Sequence, residues 1–226
     1  MTEQFPELGW IDEQAPRMLD RLQKWSSIHS GTLNRAGLAR LSEELSESFA
    51  ELDAPVEALD LPPMRRVDSD GEMIDTPLGQ ALSIVKRPTA PRRVLLSIHM
   101  DTVHAPEQAL DPPRQTDNTL YGPGVADAKG GLVVLLTALQ AFERSAAAGE
   151  LGWEVLINPD EELGSPGSAG LLREAAQRND VGLVFEPSLP DGSLVSERGG
   201  SGNFTIIVRG RAAHAGREYE QGRSAI

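Results

Sequence analysis

Four short stretches of this 226-residue sequence carry side chains that can hold a cation and move a proton. They are His99-Met-Asp-Thr-Val103, Tyr121-Gly-Pro-Gly-Val-Ala-Asp-Ala-Lys-Gly-Gly131, Asp160-Glu161-Glu162 and Glu186-Pro187. His99 and Asp101 are two residues apart, so in extended backbone their side chains point the same way. An acid so placed accepts the second imidazole N–H, which fixes the tautomer and strengthens the ring as a ligand. Asp127 follows a Gly/Pro turn that lets backbone approach a ligand closely. Its two oxygens can bridge two cations, and Glu162 and Glu186 can each take one. Nitrogen and oxygen donors of this kind suit zinc, with cobalt or manganese as substitutes. In the adjacent pair Glu161 and Glu162, one can bind metal while the other takes a proton from a bridging water. Metals lower the pKa of such water towards ~7, so the set is a hydrolase constellation.

Each stretch taken singly has a plainer reading. Gly122-Pro-Gly124 resembles part of a nucleotide loop, but Asp127 stands where a dinucleotide fingerprint needs its third glycine and would repel a pyrophosphate. Lys129 is followed by Gly130, not by the Ser/Thr of a P-loop. An Asp-Glu-Glu run is commonly a solvated loop, and Glu186 after an apolar strand could be a capping residue. His29, His104 and His214, taken alone, read as surface histidines.

What lifts the set is where its members sit. Val94-Leu-Leu-Ser-Ile98, Trp153-Glu-Val-Leu-Ile157 and Val181-Gly-Leu-Val-Phe185 are short, nearly continuous apolar runs, the pattern of strands buried on both faces. They lead into His99, into Glu161 and Glu162, and into Glu186. Between them, Leu132, Val133, Leu135, Leu136, Leu139 and Phe142 predict a helix from about Ala128 to Ser145. Ser165-Pro166 offers an N-cap and a first-turn proline for a helix reaching about Arg178. Upstream, Met18, Leu19, Leu22 and Trp25, then Leu38, Leu41, Leu45, Phe49 and Leu52, predict two more helices, and Ala81 to Lys86 a strand. The fold class that follows is α/β, a mostly parallel central sheet with helices on both faces and right-handed crossovers. Such sheets bind ligands beyond the carboxyl ends of their strands. Past Ser196 the character changes. Phe204, Ile206 and Val208 alternate with Thr205 and Arg209, predicting a half-buried strand of a new sheet, and Ser224 to Ile226 reads as the start of another helix.

Composition excludes several alternatives. With 34 acidic against 21 basic side chains the net charge is −13, which disfavours nucleic acid as a partner. No cysteine is present, so disulfides, thiolate nucleophiles and Cys-ligated metals are ruled out. No apolar run reaches the ~18 residues that span a bilayer, so no membrane association is expected. Residues Met1 to Trp10 lack the basic and apolar regions of a secretory signal, which leaves the cytoplasm as the expected location.

These motifs, in this order and with His214-Ala-Gly216 after them, resemble the dinuclear zinc exopeptidases and deacylases. That family includes glutamate carboxypeptidase, acetylornithine deacetylase, succinyl-diaminopimelate desuccinylase and aminoacylase. The resemblance implies a two-zinc hydrolase of an amide bond in a small peptide or N-acyl amino acid. His99 and Glu186 would hold one zinc, Glu162 the other, and Asp127 would bridge them. Asp101 would orient His99, and Glu161 would be general base and then proton donor to the leaving amine. A cis peptide after the bridging acid, here Asp127-Ala128, is also implied. His214 would stabilise the developing oxyanion in a neighbouring subunit, which makes a homodimer the expected assembly. On this reading residues 1–198 form the N-terminal portion of the catalytic domain and 199–226 begin an inserted α+β lid or dimerisation domain. Tyr219 and Ser224 stand where the family usually has Pro and Asn. Members continue beyond the position of Ile226 and supply one more His ligand, so a fragment is expected. The alternative is a catalytically incomplete metal-binding module.

Overall fold

In the computed structural model, residues 6–189, 191–200, 202 and 204–226 are described. Three helices come first: α1 (Pro6–Glu13), α2 (Ala15–Ser26) and α3 (Arg35–Phe49). Strands β1 (Val56–Leu59), β2 (Met64–Val67), β3 (Met73–Thr76) and β4 (Ala81–Lys86) follow, then β5 (Arg93–His99) and the short pair β6 (Arg114–Thr116) and β7 (Thr119–Tyr121). The order then runs α4 (Lys129–Phe142), β8 (Gly152–Asn158), α5 (Ala169–Gln177) and β9 (Val181–Val184).

The central sheet has the order β1-β4-β8-β5-β9, and β2–β3 and β6–β7 are separate antiparallel pairs. The sheet is mixed. β5 runs parallel to both β8 and β9, whereas β4 is antiparallel to β8 and β1 to β4. Helices cover both faces, as the sequence predicts, and the parallel half places its carboxyl ends side by side. On one face Leu82, Ile84, Leu96, Ile98, Val155 and Ile157 pack with α4 and with the leucines of α3. The opposite face is thinner: Leu95 and Leu156 meet Ala175, Leu171 and Leu172 of α5. Gly131 allows α4 its close approach, because a Cβ there would lie 2.7 Å from Ile98 Cδ1 and 3.2 Å from the Phe185 carbonyl oxygen.

Four local expectations are corrected. The Val181 to Phe185 run does form a strand, but β9 is exposed, with Val181 at 53% and Val184 at 68%. It pairs with β5 alone, and the apolar residues of α5 reach β5 and β8 rather than β9. Helix α5 starts at Ala169, not at Pro166, because the chain first makes a turn around a buried acid. Ser165 takes a positive φ of 56°, and Asp160 Oδ2 accepts the N–H groups of Gly167 and Ser168 at 2.7 and 3.0 Å. Residue 204 and residues 205–208 form no strand, and Phe204 and Ile206 are 92% and 87% exposed. A strand exists only by pairing, and among the described residues no neighbouring strand offers them a ladder. Residues 224–226 are not helical.

At the end of the sheet where the parallel strands β5 and β8 begin, Glu143 after α4 collects three donors: Arg87, Lys86 Nζ at 3.0 Å and the Trp153 indole N–H at 2.8 Å. Burial disfavours its charge, but the donors outweigh burial and hold the carboxyl at about 2. A depressed folded pKa contributes stability that is present above the ordinary value of 4.5 and lost as pH falls through the folded value. Glu143→Gln is therefore expected to cost about 2 kcal/mol at pH 7. In urea denaturation the gap to the unsubstituted chain should close between pH ~4.5 and ~2. A gap that persists unchanged to the acid end would contradict this account.

Candidate metal centre

The carboxyl end of β5 delivers His99, which lies opposite Asn158 at the end of β8 in the parallel register. Its ring is buried. Nδ1 lies 3.1 Å from the Asp101 carbonyl oxygen and 3.3 Å from Asp101 Oδ1, while Nε2 faces Asp127 Oδ1 at 2.9 Å and Glu186 Oε2 at 3.7 Å. His99, Asp127 and Glu162 each present a ligand atom, and these three atoms lie within 4.8 Å of one another. Glu186 therefore stands beside His99 but outside that triad.

Each of these groups is placed by a local device. Gly124 has a φ of +70°, and a Cβ on it would press at 3.0 Å on both Thr102 Cγ2 and Lys129 Cδ. That tight turn brings Asp127 back over β5 just before α4 begins, through a cis Asp127-Ala128 peptide as the resemblance implies. The Asp160 to Ser168 turn presents Glu161 and Glu162 in a single 3-10 turn, closed by Gly164 at φ +86°. Asp160, fully buried, holds that turn from inside by accepting from Gly167, Ser168 and Asn158. Asp101, also fully buried, holds it from the other side: Oδ1 accepts the Glu161 N–H and Oδ2 the Glu162 N–H, each at 3.2 Å.

Electrostatically the cleft is a concentration of negative charge. Burial, then repulsion from Asp127, pushes Glu162 up to about 6. Burial also raises Glu161, with Glu186, Asp101 and Asp127 adding to it against the opposing pull of His99. Burial works against a charge on His99, yet Asp101 and Glu186 outweigh it and push the ring up to about 11. Among the described residues no Lys or Arg pairs with Asp127, Glu161, Glu162 or Glu186. The nearby Lys129 is turned away: it is fully buried, donates to the Ile28 carbonyl at 2.8 Å, and is lowered to about 8 by burial. Asp127, Glu162 and Glu186 gathered about the His99 imidazole, with no Lys or Arg among the described residues paired to them, are a donor set that fits a divalent metal.

His214 is not part of this cluster. It sits in an exposed turn where its Nδ1 accepts from the Gly216 N–H at 3.1 Å, and none of its hydrogen bonds reaches the four acids. Two supporting residues escape sequence reasoning. Asp160 reads as the first of a solvated acidic run, although the Ser-Pro-Gly-Ser after it is a visible turn signal. Thr32, whose hydroxyl meets Asp101 Oδ2 at 2.6 Å, comes from 69 residues away and gives no local signal.

A mixed α/β sheet with these motifs at its strand ends defines a class, and sequence comparison agrees. The profile of Peptidase family M20/M25/M40 matches residues 95–219, a span that includes every one of these groups except Thr32. The chain belongs to that family. It is 33% identical over 218 residues to carboxypeptidase G2 of Pseudomonas sp. (strain RS-16), covering 95% of this chain and 49% of that protein. It is 30% identical over 139 residues to N-acetyl-L-citrulline deacetylase of Xanthomonas campestris pv. campestris, covering 59% of this chain and 35% of that one. Human carnosine dipeptidase 1 shares the fold, with a TM-score of 0.64 at 20% identity over 81% of this chain and 41% of that chain. The chain thus spans about half, or less, of the length of these relatives. No helix among the described residues is long and apolar enough to cross a membrane.

Proposed function

We propose that this chain carries the greater part of the active centre of a zinc-dependent hydrolase that cleaves the amide bond of a small peptide or N-acyl amino acid. The observation that carries the reading is the meeting of His99, Asp127 and Glu162 within 4.8 Å at the carboxyl ends of parallel strands, with Glu161 in the same turn. Membership of a peptidase family, and similarity to a protein named as a carboxypeptidase and another named as a deacetylase, point the same way.

His99 and Glu186 would hold one zinc ion, Glu162 a second, and Asp127 would serve both; cobalt or manganese would fit the same donors. Zinc held there would supply Lewis acidity and make a water molecule easier to deprotonate near neutral pH. The protein's own residues do the rest. Asp101 accepts from His99 and fixes its tautomer, leaving Nε2 directed at the cleft. Glu161, whose proton affinity burial has already raised, takes the proton of the attacking water and returns it to the leaving amine nitrogen. His214 would act on a neighbouring subunit's substrate, in a homodimer built through a second unit that begins near residue 199. A cytoplasmic location completes the reading.

One observation favours a second reading, a metal-binding module without turnover. Val181, Leu183 and Val184 of β9, with Leu194, Val195, Phe204 and Ile206 beyond it in the chain, leave apolar surface uncovered. Measuring zinc per chain together with hydrolysis of a panel of N-acyl amino acids separates the two. Two zinc ions with turnover support the hydrolase; one or none without turnover supports the module.

A further inference from the structure

Asp101 is shared more widely than its partnership with His99 requires. It is fully buried, and each oxygen has distinct company. Oδ1 lies 3.3 Å from His99 Nδ1 and accepts the Glu161 N–H at 3.2 Å. Oδ2 accepts the Glu162 N–H at 3.2 Å and the Thr32 hydroxyl at 2.6 Å. The hydroxyl bond is the short one, within the range of charge-assisted O–H to carboxylate bonds. Held by two long amide bonds and an imidazole, the carboxylate could still turn about its last torsion, which is broad for Asp. The bond from Thr32 removes that freedom.

Thr32 is itself fixed in place. The loop 29–32 runs beside the end of β5: Thr102 donates its N–H to the Ser30 carbonyl at 3.0 Å, and Thr32 donates to the Thr102 carbonyl at 3.3 Å. At Gly31 the two segments touch so closely that a Cβ would lie 1.9 Å from the His104 carbonyl oxygen. Immediately after, Asn34 caps α3 by accepting from the Gly37 N–H at 3.0 Å and donates to the His29 carbonyl at 2.9 Å. Helix α3 is sunk in the core through Leu38, Leu41, Leu45 and Phe49. The β-branched side chain of Thr32 is also stiff at χ1. A rigid path therefore runs from the core through α3 and its cap to one hydroxyl aimed at Asp101.

We propose that Thr32 is a positioning residue of this centre: its hydroxyl fixes the plane of the Asp101 carboxylate, and through it the His99 ring and the Glu161–Glu162 turn. The inference rests on the reading of His99 and Glu162 as ligands and Glu161 as base. It explains how one buried acid can hold a ligand and the base-bearing turn in register although the two lie on different strands.

The test compares the full chain with Thr32→Val, Thr32→Ala, Thr32→Ser, Asp101→Asn and the Thr32→Ala/Asp101→Asn double variant. Zinc is titrated against a chromophoric chelator, and amide hydrogen exchange of Glu161 and Glu162 is followed in the metal-free proteins. Thr32→Val and Thr32→Ala are expected to weaken zinc binding about 10-fold. They should also speed exchange at the two amides by about 10-fold without speeding it in the core strands. Thr32→Ser, which keeps the donor, should stay within about 2-fold in both, and in the Asp101→Asn background Thr32→Ala should add nothing. The alanine variant covers the case in which the valine methyl, pressed on a carboxylate oxygen, prevents folding. If serine and alanine behave alike, or if alanine costs the same with and without Asp101, the proposal is overturned. An unsubstituted chain that takes up no zinc would sink the hydrolase reading instead, and the exchange rates would still decide the role of Thr32.

Discussion

Glu161→Gln is expected to reduce hydrolysis by about 100- to 10,000-fold while leaving bound zinc unchanged. The amide is isosteric with the acid, and the contact that places this residue, its backbone N–H on Asp101 Oδ1, does not involve the side chain. No hydrogen bond among the described residues ties up the Glu161 carboxylate, so the substitution removes proton affinity and nothing structural. The loss should fall on kcat, because a general base acts on the transition state more than on bound substrate. Elemental analysis for zinc and initial rates on the active protein decide it. Turnover that survives the change would remove Glu161 from the mechanism, and zinc lost along with turnover would make it a ligand.

Asp127→Ala is expected to weaken zinc binding by well over the ~10–100-fold that losing an outer partner costs, because Asp127 belongs to the triad itself. The same substitution should act in the opposite direction on the metal-free chain. After burial, Asp127 is the main reason that Glu162 is raised to about 6. A carboxyl raised in the folded state gives stability that is greatest at low pH and is lost as pH climbs from 4.5 through about 6. Without Asp127 that loss shrinks, although its 2.9 Å contact with His99 Nε2 is lost as well, so the thermal stability of metal-free Asp127→Ala relative to the unsubstituted chain should rise as pH climbs from ~4.5 to ~7. A variant that binds zinc normally, or whose stability relative to the unsubstituted chain does not rise over that pH range, would contradict this account of Asp127.

The meeting of His99, Asp127 and Glu162 at one end of the sheet is foreshadowed in the sequence for a physical reason. Parallel strands buried on both faces leave continuous apolar runs, and their carboxyl ends are where such a sheet presents ligands, so His99, Glu162 and Glu186 announce themselves by what precedes them. β9 shows where this reasoning ends. Val-Gly-Leu-Val-Phe has the same pattern as the runs in β5 and β8, yet its residues are exposed, because burial depends on neighbours that a strand's own sequence does not encode. The alternation at Phe204, Ile206 and Val208 misleads in the same way, since an alternating segment needs a ladder before it is a strand. Ser165-Pro166 looks like the start of α5, but the demand of buried Asp160 for backbone donors delays the helix to Ala169. Thr32 lay out of reach altogether, because its significance rests on one contact across 69 residues.

The spacing of the donors along the chain has a thermodynamic consequence. His99, Asp127 and Glu162 belong to segments joined by long stretches of intervening chain, and the protein has no cysteine with which to tie those segments together. An ion held by all three would close two loops at once, restricting the unfolded chain as a cross-link does and adding the free energy of binding to that of folding. At a free zinc concentration 100 times the dissociation constant this amounts to about 2.7 kcal/mol per site. The ion, drawn by acids that repel one another in the metal-free chain, would then be the protein's removable staple.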